Sequence, residues 1–328
     1  MSHDAGFAKT LADKISTEQV TEFEKNGAIC LRGLFDQDWL NQLATGVEKN
    51  FVAPGPWNTV YTPEGQPGGF YDDYCNWQRI SEYEEFIKHS PAAELAARLM
   101  QSDVARIYHE HVLVKEPGTK ETTPWHHDLP YYGVDGDQLC SIWLPLDKVP
   151  QSVCPEFVAG SHNSGMLYYP RLFINNTNYA DGIEGYETIP DISAQRDELE
   201  LLSWDLELGD CIVFHMRTVH GAPATKGLTS RRRAFSTRWL GDDARFALLL
   251  GTSPKSSPNF SYNSYAMSSC SCQSSGKSSI PLKPIFSLSK SVTIFLDNDE
   301  GKATSGSNSG TLKCATIRLA NPFLNNSL

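Results

Sequence analysis

A His-X-Asp pair, His126 and Asp128, and a histidine far downstream, His220, constrain this chain most strongly. In an extended strand, residues two apart point to the same face, so an imidazole nitrogen and a carboxylate oxygen would project side by side. Two histidines and one carboxylate form the facial triad that binds Fe(II) and leaves part of the coordination shell open. The rest of the sequence is therefore expected to form a scaffold that brings these three side chains together.

Composition narrows the class of partner. The 328 residues include 40% hydrophobic and 20% charged residues, as in a globular protein with a sizeable core. A formal net charge of −11 argues against nucleic-acid binding, which needs a basic face. No apolar run reaches the roughly 18 residues of a membrane span. We therefore expect a small-molecule substrate, with no nucleic-acid or membrane partner, and the sequence leaves the oligomeric state open.

The cysteines indicate a reducing compartment. Eight are scattered along the chain, and no pair has the CxxC spacing of a zinc knuckle or a thioredoxin-type site. Met1 to Asp13 lacks a charged-then-apolar signal pattern. The chain ends Asn-Ser-Leu, without a Ser-Lys-Leu peroxisomal signal. These features predict an intracellular, cytoplasmic protein and leave a peroxisomal location open.

The sequence pattern changes twice along the chain, from helical to strand-like and then to Ser-rich. Apolar residues at helical spacing predict helices within the first hundred residues. Short strands separated by turn signals then predict a β-sandwich or barrel, with the helices on its outside. The predicted strands are 104–115, 138–146, 199–204, 211–219 and 232–239. Ser-rich sequence follows, so we expect a domain over 1–246, with its β-core at about 104–246, and a poorly ordered tail over 247–328.

Four motifs in a fixed order carry a resemblance to a known family. They are Pro-Trp-His-His-Asp-Leu-Pro at 124–130, Ser-Ile-Trp-Leu-Pro-Leu-Asp at 141–147, Gly-Ser-His at 160–162, and Gly-Asp at 209–210 followed by His220-Gly221. Together they resemble the phytanoyl-CoA dioxygenase family, from about Ile15 to Phe246. The resemblance implies a mainly β, cupin-like double-stranded β-helix, or jelly roll, with N-terminal flanking helices. It also implies dependence on Fe(II), 2-oxoglutarate and O2.

The resemblance assigns roles to individual residues. It implies that His126, Asp128 and His220 bind Fe(II). It further implies an arginine about a dozen residues after the distal histidine, paired with the far carboxylate of 2-oxoglutarate. The pattern Arg-Arg-Ala-Phe-Ser favours Arg232 for this role, with Arg231 as second choice. The remaining expected cosubstrate contacts are Trp143, which would pack against it, and His111 and Leu113, whose strand faces the same pocket.

The implied reaction is hydroxylation of a small organic metabolite with release of succinate and CO2. The sequence leaves the substrate open, and both an acyl-CoA thioester and a secondary metabolite are compatible with it. A halogenase on the same fold would need Gly or Ala in place of Asp128, so this alternative is disfavoured. A non-catalytic jelly-roll binding module that has lost turnover is the other alternative.

Two further histidines lie close to the motifs. His127 should point away from His126 if the strand is regular, and His215 precedes His220 by five residues, which reverses its face. Both are therefore expected to be structural.

Overall fold

The computed structural model describes residues 14–173, 175–178, 181–225 and 227–247, and the backbone of 271–272. All of them belong to one compact unit, residues 1–276. The predicted Ser-rich tail lies outside the described residues, except for residue 247 and the backbone of 271–272. The division of the chain at residue 246 stays a prediction.

The described residues contain four α-helices, all before the β-core. They are α1 (Thr17–Asn26), α2 (Gln37–Val52), α3 (Ser81–His89) and α4 (Ala92–Met100). Helix α1 begins with a reciprocal capping box between Ser16 and Gln19 and ends at Gly27, whose φ of 73° lies in the left-handed region that glycine adopts easily. None of the four is both long and apolar enough to cross a bilayer.

Strands alternate with turns through the remainder of the described chain. They are β1 (Ala28–Leu31), β2 (Thr59–Val60), β3 (Phe70–Tyr74), β4 (Ala105–Lys115), β5 (Thr123–His126), β6 (Val134–Asp135), β7 (Leu139–Pro145), β8 (Glu156–Val158), β9 (Leu167–Tyr168), β10 (Arg171–Leu172), β11 (Thr177–Asn178), β12 (Tyr186–Glu187), β13 (Leu201–Leu202), β14 (Cys211–His215), β15 (His220–Ala222), β16 (Arg232–Leu240), β17 (Arg245–Phe246) and β18 (Ser271–Cys272).

Two antiparallel sheets face each other. The larger has the order β1-β14-β7-β16-β4-β3-β2, with β18 paired to β4, and the smaller has the order β13-β8-β15-β5. Strands far apart in sequence are neighbours in both sheets, as in a Greek-key roll. The predicted jelly roll is confirmed, and the predicted strands 104–115, 138–146 and 232–239 correspond to β4, β7 and β16 at the centre of the larger sheet.

The two faces of β16 show how the layers are filled. Phe235 points outward and packs against Tyr83 and Phe86 of α3, with ring centroids 4.6 and 5.5 Å apart. Ala234 alternates to the inner face and packs in the cluster of apolar residues, including Trp143, that lies between the sheets. The outer face of the larger sheet therefore packs against the helices, and its inner face lines the space between the two sheets, where a site can form.

Glu110 of β4 is a carboxyl group buried outside this inner face. It is fully buried, and its Oε1 accepts a hydrogen bond from the Asn76 backbone N–H at 2.5 Å. Burial raises the pKa of Glu110 to about 7, against the opposing effect of the backbone donors. A carboxyl whose pKa is raised on folding stabilises the protein fully below its unfolded pKa, and that stability is lost as the pH rises through the folded pKa.

We expect Glu110→Gln to flatten part of the pH dependence of stability. Between about pH 5 and pH 8 the unmodified protein should lose on the order of 3 kcal/mol of unfolding free energy through this group, because each unit of pKa shift is worth about 1.4 kcal/mol. Urea denaturation of both proteins across this range measures the difference. If the unfolding free energies of the two proteins changed equally with pH, a buried Glu110 that ionises in this range would be contradicted.

Candidate metal centre

The smaller sheet brings two histidines side by side. Strand β5 ends at His126, and β15 begins at His220, which lies directly opposite His126 in the antiparallel pairing. The two ring centroids are 4.3 Å apart, and both side chains are buried. The pairing of β5 with β15 therefore brings together two histidines that lie more than ninety residues apart in the sequence.

Hydrogen bonds fix which nitrogen of each ring is available. His126 Nδ1 lies 2.7 Å from the Pro124 carbonyl oxygen, and His220 Nδ1 lies 2.9 Å from that of Thr218. A carbonyl only accepts, so each Nδ1 carries a proton and donates it, and Nε2 is the ring nitrogen left for another partner. Burial lowers the pKa of His220 to about 3, so this ring is neutral at physiological pH. Both rings are oriented as metal-binding histidines are.

Asp128 lies beside the two histidines, but its backbone is helical where the sequence predicted a strand. The strand ends at His126, and Asp128 has helical angles (φ −69°, ψ −36°) before a 3-10 turn at Leu129–Tyr131. The expectation that the pair shares one strand face was therefore wrong. The side chains still converge, because Asp128 Oδ1 lies 3.6 Å from His126 Nε2 and 3.9 Å from His220 Nε2. All three ligand atoms lie within 4.8 Å of one another.

Asp128 is ionised despite complete burial. Burial raises its pKa, but the charge of Arg238 outweighs this and holds the pKa well below its usual value. Its Oδ2 accepts a hydrogen bond from Ser141 Oγ at 3.1 Å. Two imidazoles and one carboxylate thus share a buried space.

Arg232 lies on the inner face of the larger sheet. The residue is 5% exposed. Its Nη1 donates to the Val153 carbonyl, and its Cζ lies 6.0 Å from the centre of the Trp143 ring. In the described part of the chain, no carboxylate pairs with it. Burial lowers the pKa of Arg232 to about 10, so the guanidinium stays charged. A buried charge without a counter-ion indicates that a ligand supplies one.

Arg231, the second choice for this role, lies outside the site. Its guanidinium pairs with Glu116 at 2.7 Å and with Glu48 at 2.9 Å, and 36% of its side chain is exposed. Successive residues of an extended chain point to opposite sides, so only one of the two neighbouring arginines can face inward. Of the two, Arg232 is the arginine whose side chain is buried on the inner face.

His111 and Leu113 both face inward from β4, opposite Ser236 and Ala234 of β16. Leu113 packs in the cluster that contains Trp143. His111 instead bridges two charged groups, because its Nε2 lies 3.0 Å from Asp72 Oδ2 and its Nδ1 lies 3.4 Å from Arg238 Nη2. The structure thus brings Leu113 beside Trp143 and places His111 in a polar network.

Asp72 and Arg238 belong to this face but were absent from the sequence expectations. Arg238 could have been found, because the alternation that points Arg232, Ala234 and Ser236 inward reaches Arg238 next. Asp72 gave no comparable signal, since it lies in the short aromatic and acidic strand β3 with Asp73 beside it. Which of the two carboxylates faces inward depends on a register that only the folded sheet defines.

The other two histidines make structural hydrogen bonds. His127 lies 3.4 Å from the Arg217 carbonyl through Nδ1, and its Nε2 accepts from the Tyr168 N–H. His215 Nε2 lies 2.8 Å from the Asp137 carbonyl oxygen, and its Nδ1 accepts from the Arg217 N–H. In each ring both nitrogens already have protein partners.

Known structures share this architecture. The carbocyclase SnoK from nogalamycin biosynthesis, described as non-heme and alpha-ketoglutarate dependent, is 21% identical, covers 72% of this chain and 88% of its own, and has a TM-score of 0.57. The epimerase SnoN in complex with Fe3+, alpha-ketoglutarate and nogalamycin RO is 19% identical over 73% of this chain and 86% of its own, with a TM-score of 0.56. EctD from S. alaskensis, with 2-oxoglutarate and 5-hydroxyectoine, is 15% identical over 74% and 78%, with a TM-score of 0.54.

At these identities the likeness establishes the fold. No curated protein sequence matches the chain. The model of one family, phytanoyl-CoA dioxygenase, matches residues 23–234, a range that contains both histidines, Asp128 and Arg232. The chain therefore belongs to the phytanoyl-CoA dioxygenase family of Fe(II)- and 2-oxoglutarate-dependent oxygenases.

Proposed function

We propose that this protein hydroxylates a small organic molecule, with His126, Asp128 and His220 holding Fe(II) and Arg232 binding 2-oxoglutarate. One observation carries the proposal. Two imidazoles, each anchored through Nδ1 to a backbone carbonyl, direct Nε2 toward the same carboxylate oxygen. Burying three polar groups costs free energy unless they have partners, and a bound cation would be a partner to all three.

The donor set suits the metal. Imidazole nitrogen and carboxylate oxygen are ligands that Fe(II) accepts, and two histidines with one carboxylate leave positions free for other ligands. When bound, Fe(II) with 2-oxoglutarate lets O2 deliver one oxygen atom to the cosubstrate, giving succinate and CO2, and the other to a substrate C–H bond. The residues of this chain orient the three donors and keep bulk water away, since all three side chains are buried.

The charge distribution around Arg232 supports a dicarboxylate cosubstrate. Lys115 of β4 lies directly opposite Arg232, and its buried Nζ donates to two backbone carbonyls, of Glu121 and Pro223. Burial, followed by the charge of Arg232, lowers the pKa of Lys115 well below its usual value. Like charges facing each other across a sheet destabilise it. A carboxylate that binds the planar fork of Arg232 would relieve this repulsion.

The substrate side of the site is aromatic and polar. The Phe173 ring lies 4.8 Å from the ring of His126 and 6.1 Å from that of Tyr61. Tyr61 donates to Asp72 Oδ2 at 2.9 Å, whereas Asp72 Oδ1 is buried and has no hydrogen-bond partner among the described residues. Buried carboxylate oxygens are nearly always hydrogen-bonded. This unmatched acceptor favours a substrate that carries an N–H or O–H donor.

A metabolite screen for substrate-dependent succinate release tests the proposal. The panel should contain acyl-CoA thioesters, amines and polyols, with His220→Ala as the inactive control. At least one compound should raise succinate formation about tenfold or more and gain one oxygen atom. Succinate release with a product that has gained no oxygen would refute hydroxylation in favour of another oxidation, such as ring closure or epimerisation.

An intracellular location is part of the proposal. The five cysteines whose side chains the structure describes, Cys30, Cys75, Cys140, Cys154 and Cys211, are free thiols. Free, largely buried thiols are typical of proteins that work in a reducing compartment.

A further inference from the structure

The two oxygens of Asp128 have different surroundings. Oδ1 faces the Nε2 atoms of His126 and His220, at 3.6 and 3.9 Å. Oδ2 accepts from Ser141 Oγ at 3.1 Å and lies 3.5 Å from Arg238 Nη2. A carboxylate can bind a metal through one oxygen or through both, and these contacts make the oxygens unequal.

Arg238 is itself held in place. It is 5% exposed, its Nε donates to the Tyr132 hydroxyl at 3.2 Å, and Nη2 lies 3.4 Å from His111 Nδ1. His111 Nδ1 accepts from this guanidinium, so the proton of the neutral ring is on Nε2, which donates to Asp72 Oδ2. In the described part of the chain, Asp128 is the carboxylate that pairs with Arg238.

We propose that Arg238 is a positioning residue that holds Oδ2 of Asp128 and thereby makes Asp128 a one-oxygen ligand to the metal. The inference rests on the proposed function, because it presupposes a metal between Asp128 and the two histidines. A second bound oxygen would occupy a coordination position that the reaction needs open. Arg238 and Ser141 prevent this by occupying Oδ2, and Tyr132 and His111 keep the guanidinium from turning away.

A purely structural role for Arg238 would be to neutralise one buried carboxylate. Such a role would affect folding stability and leave the geometry of a bound metal unchanged. The positioning role predicts instead that metal affinity and ligand geometry change when Arg238 is replaced. Residues that orient metal ligands typically change metal affinity about 10- to 100-fold when they are removed.

Co(II) binding to the metal-free protein provides the test, because its visible d–d bands respond to the number of ligands. Arg238→Met should weaken Co(II) binding by about 10- to 100-fold and alter the intensity of these bands. Arg238→Lys keeps the charge and should recover part of the affinity. Ser141→Ala removes the other Oδ2 donor and should alter the bands in the same direction.

Arg233→Met is the matched control. Arg233 lies on the same strand but on the outer face, where it pairs with Asp147 at 2.8 Å, so its loss removes an ion pair without touching the site. It should bind Co(II) within about twofold of the unmodified protein.

The outcomes distinguish a failure of the proposed metal site from a failure of the positioning role of Arg238. If the unmodified protein binds Co(II) and both Arg238→Met and Ser141→Ala bind it with equal affinity and unchanged bands, the positioning role is refuted while the metal site stands. If the unmodified protein binds no Co(II), the proposed metal site fails, and the role of Arg238 fails with it. Should Arg238→Met not fold, Arg238→Lys and Ser141→Ala decide in the same way.

Discussion

Replacing His220 with alanine is expected to abolish substrate-dependent succinate formation, with a loss of roughly a thousandfold or more, equivalent to about 4 kcal/mol of transition-state stabilisation. The side chain supplies one of three metal donors. It is fixed by the Thr218 carbonyl and packed between the rings of Phe214 and Phe157, at 4.6 and 5.6 Å. His126→Ala should have the same effect, because the two rings have equivalent roles.

His215→Gln is the matched control for this result. His215 is also a buried histidine, but its two nitrogens bond Asp137 and Arg217 backbone groups away from the triad. We expect it to lower the thermal midpoint and to retain metal-dependent turnover. Turnover at the unmodified rate in His220→Ala would contradict the assignment of this residue as a metal ligand.

Replacing Arg232 with alanine is expected to raise the KM for 2-oxoglutarate by about 10- to 100-fold, since hydrogen bonds to charged groups contribute roughly 1.5–3 kcal/mol. At saturating 2-oxoglutarate much of the maximal rate should return, because Arg232 would grip the far carboxylate and not the reacting atoms. Succinate formation measured against 2-oxoglutarate concentration separates the two parameters.

The neighbouring Arg231 provides the matched control for Arg232→Ala. It has the same charge and length, yet its side chain pairs with Glu116 and Glu48 on the other side of the strand. Arg231→Ala should leave the KM for 2-oxoglutarate within about twofold of the unmodified value, because exposed ion pairs contribute little. If Arg231→Ala raises the KM and Arg232→Ala does not, the assigned strand register is wrong.

The strand and turn pattern predicted a β-sandwich or barrel, and the resemblance to a family specified the jelly roll. Strands β4, β7 and β16 lie within or close to the predicted ranges 104–115, 138–146 and 232–239. The three candidate donors could be named because a His-X-Asp pair with a distal histidine can be read directly from the sequence, and the fold brings their ligand atoms within 4.8 Å of one another. These features survive small errors in element boundaries.

The details of the site depend on long-range contacts, and the sequence could not supply them. Asp128 was expected on a strand but lies in a helical turn, because the chain leaves the sheet after His126. Asp72 meets Tyr61 and His111 only through the pairing of β3 with β4. The contact of Arg238 with Asp128 joins residues 110 positions apart, and nothing in the local pattern around either residue indicates its partner.

Anaerobic titration of the metal-free protein with Fe(II) in the presence of 2-oxoglutarate tests the central claim most directly. Chelation of the metal by the cosubstrate produces a visible metal-to-ligand charge-transfer band. The proposed site predicts that this band grows to an end point of one Fe(II) per chain and is absent in His220→Ala. A folded, unmodified protein that develops no band, or a band that persists undiminished in His220→Ala, would contradict the account.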